Sequence, residues 1–226
     1  MHVRAAVRAD IPTLASVYAR AFHDDQLFSA LHPRRNEFPE DFTASFARTF
    51  QTLFCTRNVL ILVAADESSN NGVAGVGVWV RDGTLGGKDI NPRAGLLLDV
   101  EFGLRALFAR IFPPNDRSGA PEVRAEFDRA FARIGAKDEL IPPARWHLKY
   151  LGVDPAFQRR GVGAILVSAG VDRAREEGVP AMLEASPNGK NLYEKLGFRV
   201  VGEMVLENTG VGGPVMRWDP PEAPVE

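Results

Sequence analysis

Residues 158–163 read QRRGVG, between an apolar run that ends at Val153 and a run of helical spacing that begins near Gly161. A strand that turns into a helix at such a point leaves several amides without carbonyl partners. The helix dipole adds partial positive charge at the same end. Gly161 and Gly163 keep side chains away from those amides, while Arg159 and Arg160 bring charge beside them. The chemistry predicted here is the binding of a phosphate, with a pyrophosphate as the expected form.

Other phosphate loops fit worse. A nucleoside-triphosphate loop needs Lys followed by Ser or Thr after its last glycine, and GVGAIL has neither, while NGKN at 188–191 lacks the upstream glycine. A dinucleotide fingerprint needs a third glycine three residues after Gly163, where this chain has Leu166.

The elements that must carry this loop are legible as changes of period. MHVRAAV alternates as a short strand, after which Asp10 is placed to cap a helix bearing Ile11, Leu14, Ala15, Tyr18 and Phe22, with Pro12 tolerated in its first turn. A second helix over about 39–54 carries Phe42, Phe46, Phe50 and Leu53 on one stripe. NVLILVAAD and GVAGVGVWVRD, separated by ESSNNG, predict an antiparallel strand pair over 58–82.

Residues 83–143 then interrupt the sheet with two helical patterns, about 93–112 and 122–135, the second with Val123, Phe127, Phe131 and Ile134 on one face. Such an insertion is either a wall or lid over a site or a packed helical ornament. After Pro143 the order is strand (RWHLKYLGV), helix (161 to about 177), strand (PAMLEAS), helix (about 188–196) and two closing strands. The expectation is one α/β domain over 1–219, with 220–226 a disordered tail.

The 226 residues, 45% hydrophobic and 25% charged, describe an ordinary globular chain. A net charge of −2 disfavours nucleic acid as a partner. No run approaches the roughly 20 apolar residues of a membrane span, and the start has no signal-peptide layout, so a cytoplasmic protein is expected. Cys55 is the one cysteine, which rules out an internal disulfide and favours packing over nucleophilic attack. His2, His23 and His32 show no metal-ligand spacing, so no metal site is expected.

QRRGVG matches the Q/R-x-x-G-x-G/A motif of the GNAT superfamily of N-acetyltransferases, and NLYEKLGF at 191–198 resembles the helix and strand start that follow it in that family. The resemblance is sharp over about 145–203. It implies an α/β fold of mixed, mostly antiparallel sheet, splayed at one place and flanked by helices, with acetyl-CoA inserted between the strand ending at Val153 and the strand near 183. It implies further that Leu151, Gly152 and Val153 meet the pantetheine arm, with backbone groups of Leu151 and Val153 pairing to it like a missing strand. Gln158, Arg159, Arg160, Gly161, Val162, Gly163 and Ala164 would then hold the pyrophosphate. The tail LYEKLGFRVVGE…GGPVMRW is also similar to that of puromycin-type antibiotic acetyltransferases, which points to a small-molecule amine as partner over a protein N-terminus or lysine; a non-catalytic CoA-binding regulatory module is the alternative, and a monomer or homodimer is expected.

An amine attacks a thioester only as the free base, so one group must take a proton and another must supply one to the leaving thiolate. The family alignment assigns the acid to Tyr193, which otherwise reads as a core tyrosine beside Leu192 and Leu196. Alternation in AMLEASP sets Met182, Glu184 and Ser186 on one face, which makes Glu184 the candidate base. It could act directly, through water or by binding a cation, or it could be one half of a structural ion pair. Asn188 is either a helix cap or a cofactor contact, and His147 is expected to make a structural hydrogen bond. With no paired nucleophile and base, direct transfer in a ternary complex is the expected mechanism.

Overall fold

The structure, a computed structural model, describes all residues except 67–71, 84–89, 91–95, 112–114, 136–140 and 222–226, and for 96–99, 134 and 135 it describes the backbone alone. Strands β1 (His2–Ala5), β2 (Val59–Ala65), β3 (Val73–Asp82), β4 (Arg145–Val153), β5 (Ala181–Glu184), β6 (Arg199–Val205) and β7 (Gly212–Trp218) form one sheet in the order β1-β2-β3-β4-β5-β7-β6. Every neighbouring pair is antiparallel except β4 and β5. The helices are α1 (Ile11–Ala21), α2 (Gln26–Leu31), α3 (Pro39–Leu53), α4 (Leu96–Ile111), α5 (Pro121–Gly135), α6 (Val162–Glu176) and α7 (Lys190–Lys195). This is the splayed GNAT-type α/β fold that the sequence predicts, with α4 and α5 inside the predicted insertion.

The apolar runs of β2 and β3 follow from burial on both faces. Leu62, Ala64, Ala74 and Trp79 join the core beneath α6, while Ile61, Val63, Val76 and Val78 join a second core with Tyr18, Phe42, Phe46 and Phe50 of α1 and α3. A third cluster gathers Met182, Met204 and Val215 of the sheet under Val123, Phe127 and Phe131 of α5. Since Met182 and Leu183 point to opposite faces, α5 lies on the same side of the sheet as α1 and α3, with a gap between them.

Two local readings change. Asp10 precedes α1 but caps nothing there: its carboxylate accepts from both Nη atoms of Arg4, at 2.8 and 3.0 Å, and from the Val7 amide. The short α2 has too few residues to show a period, and Asp25 starts it by accepting from the Leu27 and Phe28 amides at 2.9 and 3.1 Å. Ile134 and most of the expected tail fall outside the described side chains and residues.

The insertion is tied down by polar groups. Glu126, buried in α5, accepts from the Asn208 amide at 2.7 Å, and Arg133 pairs with Glu207 in the same β6–β7 turn. On α4, Glu101 bonds Arg8 and Arg105, and these guanidinium groups hold its carboxyl down to about 2 from an ordinary 4.5. A depressed carboxyl stabilises the fold at pH values above its unfolded value and stops doing so as pH falls through the folded one. Acidification from about pH 5 to about pH 2 should therefore lower the protection factors of the α4 amides, their exchange rates taken relative to the unfolded chain at the same pH, and Glu101→Gln should remove most of that dependence.

Helix α6 approaches the sheet at Gly170, where a Cβ would fall within the indole of Trp79, itself fully buried. Gly170→Ala should cost about 1–3 kcal/mol in urea unfolding, since neither partner has room to retreat.

Candidate active site

The site begins with one extra residue in β4. Val78 lies opposite Tyr150 and Trp79 opposite Leu148, so Lys149 has no partner on β3 and forms a bulge. The bulge changes which edge the backbone faces. The Trp146 amide donates to Pro180 on the β5 side at 2.9 Å, whereas the Asp154 amide, an even number of residues later, donates to Ala74 on the β3 side at 3.0 Å. Beyond the bulge, Leu151 and Val153 accordingly turn their backbone groups toward β5.

There β5 is missing. It pairs with β4 only through Trp146, His147 and Leu148, and it ends at Glu184. The result is an open backbone edge at Leu151 and Val153, where the Val153 carbonyl accepts only from Gln158 Nε2, at 3.2 Å, among the described residues. Gly152 faces β3 instead and is pressed by Tyr18, whose ring lies 2.9 Å from where a Cβ would stand. Of the three residues expected to meet a pantetheine arm, Gly152 alone does not present its backbone to the gap.

The loop that follows is held by Asp154, which accepts from the Ala156 amide at 3.0 Å and pairs with Arg20 at 2.5 Å. Arg159 and Gly161 adopt left-handed φ of 63° and 82°. Among the described residues no oxygen accepts from the amides of Arg159, Arg160, Gly161, Val162, Gly163 or Ala164, and the first amide to find a partner is that of Ile165, to Gly161. Consecutive free amides at a helix N-terminus form an anion cradle. Gly161 is required there by its φ, since a Cβ would meet nothing within 4 Å, and Gly163 by α7, since a Cβ would lie 3.1 Å from Leu192. Val162 faces inward beneath Gly75 and contributes only its amide.

Glu184 stands where β5 ends, with its side chain 17% exposed and Oε2 2.8 Å from His147 Nε2. The predicted structural hydrogen bond of His147 and the structural partner foreseen for Glu184 are thus one contact. The His147 ring stacks on Phe131 of α5 at 5.6 Å and 13°. Tyr193 comes up from α7 into the same cavity, and its hydroxyl has no hydrogen-bond partner among the described residues. Burial raises its pKa well above 10, so the group is a neutral donor at pH 7.

Asn188 is exposed, caps nothing and does not line the cavity; Ser186 makes the turn into α7 by accepting from the Gly189 amide at 3.2 Å. The cavity holds about 270 Å³ and also takes in Phe22 and Phe28, which a search for reactive side chains passes over. Among the described residues no group of His, Cys, Asp and Glu is set to hold a metal ion.

The model of the acetyltransferase (GNAT) family matches residues 123–198, which include the bulge, the free amides, Glu184 and Tyr193. An acetyltransferase of Stachybotrys chartarum is 26% identical over 209 residues, 92% of this chain and 84% of that protein. An uncharacterized N-acetyltransferase of Schizosaccharomyces pombe is 39% identical over 99 residues, 41% of this chain and 42% of that one. Among solved structures, that of histone acetyltransferase HPA2 and related acetyltransferase from Corynebacterium glutamicum superposes with a TM-score of 0.63 at 21% identity, covering 99% of this chain and 98% of that one. The free-amide loop, the open strand edge and the cavity that Glu184 and Tyr193 share all fall on the segment that matches the acetyltransferase (GNAT) family, and the whole chain is similar to acetyltransferases in sequence and in fold.

Proposed function

We propose that this acetyltransferase moves the acetyl group of acetyl-CoA to a primary amine of a small molecule, by direct attack within a ternary complex. The carrying observation is that Glu184 and the unpaired Tyr193 hydroxyl line one cavity at the open edge of β4. The family uses acetyl-CoA as its donor, which supplies a thioester carbonyl and a thiolate leaving group.

The chain's groups suit that donor. The amides of Arg159 to Ala164 bind the pyrophosphate, and Leu151 and Val153 pair with the pantetheine amides as a strand would, which aims the thioester into the cavity. Glu184 accepts a proton from the ammonium, directly or through one water, and the amine nitrogen then bonds to the acetyl carbon as the carbon–sulfur bond breaks. Tyr193 gives its proton to the departing sulfur and regains one from the nitrogen, which sheds it as the neutral amide forms. His147 keeps the carboxylate of Glu184 turned into the cavity, and Phe131 keeps His147 in place.

Calorimetric titration with acetyl-CoA and CoA, followed by thiol release with an amine panel, tests the whole reading; absence of binding would overturn it. Gly161→Val should weaken acetyl-CoA binding by at least about tenfold, because a left-handed φ costs a β-branched residue roughly 1–3 kcal/mol and the cradle must open to relieve it. Tyr193→Phe should lower kcat on the order of a hundredfold or more with little change in KM for acetyl-CoA. Glu184→Gln should depress kcat/KM most near pH 7 and least near pH 10, where the amine, with a lysine-like pKa of about 10.4, loses its proton unaided. A deficit independent of pH would remove Glu184 from the role of base.

A further inference from the structure

The gap between α1, α2 and α5 is walled by half-buried aromatic rings in two stacks. Phe22 lies on Phe28 with ring centres 4.4 Å apart and 27° between planes, and Phe127 lies on Phe131 at 6.2 Å and 29°. All four rings line the cavity. Apolar faces held apart in this way stay in contact with water until a flat apolar body fills the space between them.

Charge is distributed differently. Glu184, inside, has a side chain 17% exposed. Arg124 and Asp128 pair with each other at the rim, 3.4 Å apart and 57% and 62% exposed, and Lys149 is exposed beside them. The Asp25 carboxylate already accepts the first amides of α2. Of the two half-buried carboxylates, Asp25 is taken up by backbone amides, so Glu184 is the one turned to an occupant that lies between the four phenylalanine rings. The volume of about 270 Å³ is enough for one ring and a short chain.

We propose that the acetyl acceptor is a primary amine with one positive charge, joined by a short chain to a single aromatic ring. This rests on the reading of Glu184 and Tyr193 as the proton-handling pair beside the thioester. The ammonium reaches Glu184, and the ring lies between the stacks that α2 and α5 provide. A second ammonium or a set of hydroxyls in the ring zone would lose water and gain no partner, and each such group weakens binding by roughly five- to a hundredfold. The insertion carrying α5 is on this account the element that selects the acceptor, while the cofactor elements are independent of it.

The test compares 2-phenylethylamine, spermidine and kanamycin as acceptors, by thiol release from acetyl-CoA on the whole chain. The same samples are titrated with acetyl-CoA. The expected result is a kcat/KM for 2-phenylethylamine at least about tenfold above that of either polycation. Phe127→Ala should raise its KM by about tenfold and leave kcat and the KM for acetyl-CoA within about twofold, with Phe127→Leu intermediate and serving as the check that the fold survives. Preference for spermidine or kanamycin, or a KM that Phe127→Ala and Phe127→Leu leave unchanged, would overturn the inference while leaving the transferase reading standing. Acetyl-CoA binding with no turnover of 2-phenylethylamine would likewise overturn it, whereas failure to bind acetyl-CoA would remove the reading on which it rests.

Discussion

A single unpaired residue, Lys149, decides which way the middle of the sheet looks. Without it the alternation that sends the Trp146 amide to Pro180 would continue, and Leu151 and Val153 would be tied to β3. With it they face an edge that β5 leaves vacant after Leu183. The short β5 and the long β4 create the gap; the bulge makes the gap a row of donors and acceptors in place of a row of side chains. The loop of free amides lies at one end of that edge, and Glu184 and Tyr193 lie at the other.

The two faces of the sheet have separate tasks. Beneath it, α6 is seated as deeply as Gly170 and Trp79 allow, and that depth fixes where its free N-terminal amides point. Above it, Phe46 and Phe50 of α3 brace Tyr18 of α1 against Gly152, so the strand carrying the open edge is held from the side opposite the loop. Arg20 joins the two by reaching from α1 to Asp154. A phosphate cradle is an arrangement of weak dipoles, and its strength depends on their being held in register before the anion arrives.

Much of this was legible in the residues. QRRGVG announces free amides because glycine and arginine at a strand-to-helix turn have few other uses, and alternation in AMLEASP places Glu184 opposite the core-facing Leu183. The bulge was not legible, because it is a relation between β3 and β4 and neither strand shows it alone. Nor was the meeting of His147 with Glu184, 37 residues apart and on parallel neighbours. Phe22 and Phe28 read as core residues, which they partly are; only the three-dimensional gap shows that one side of each ring is left open. Asp10 and Asn188 illustrate the opposite error, since a good capping residue at a helix start can be drawn off by a nearby arginine or left idle by a neighbouring serine.

The anchoring of α5 has an implication for how such a protein can change. Glu126 and Arg133 both reach the turn between β6 and β7, at Asn208 and Glu207. Helix and turn therefore form a cassette, clipped to itself and sharing no hydrogen bond with the 158–164 loop among the described residues. A lineage, or an engineer, could exchange the two together without breaking a hydrogen bond to the loop of free amides.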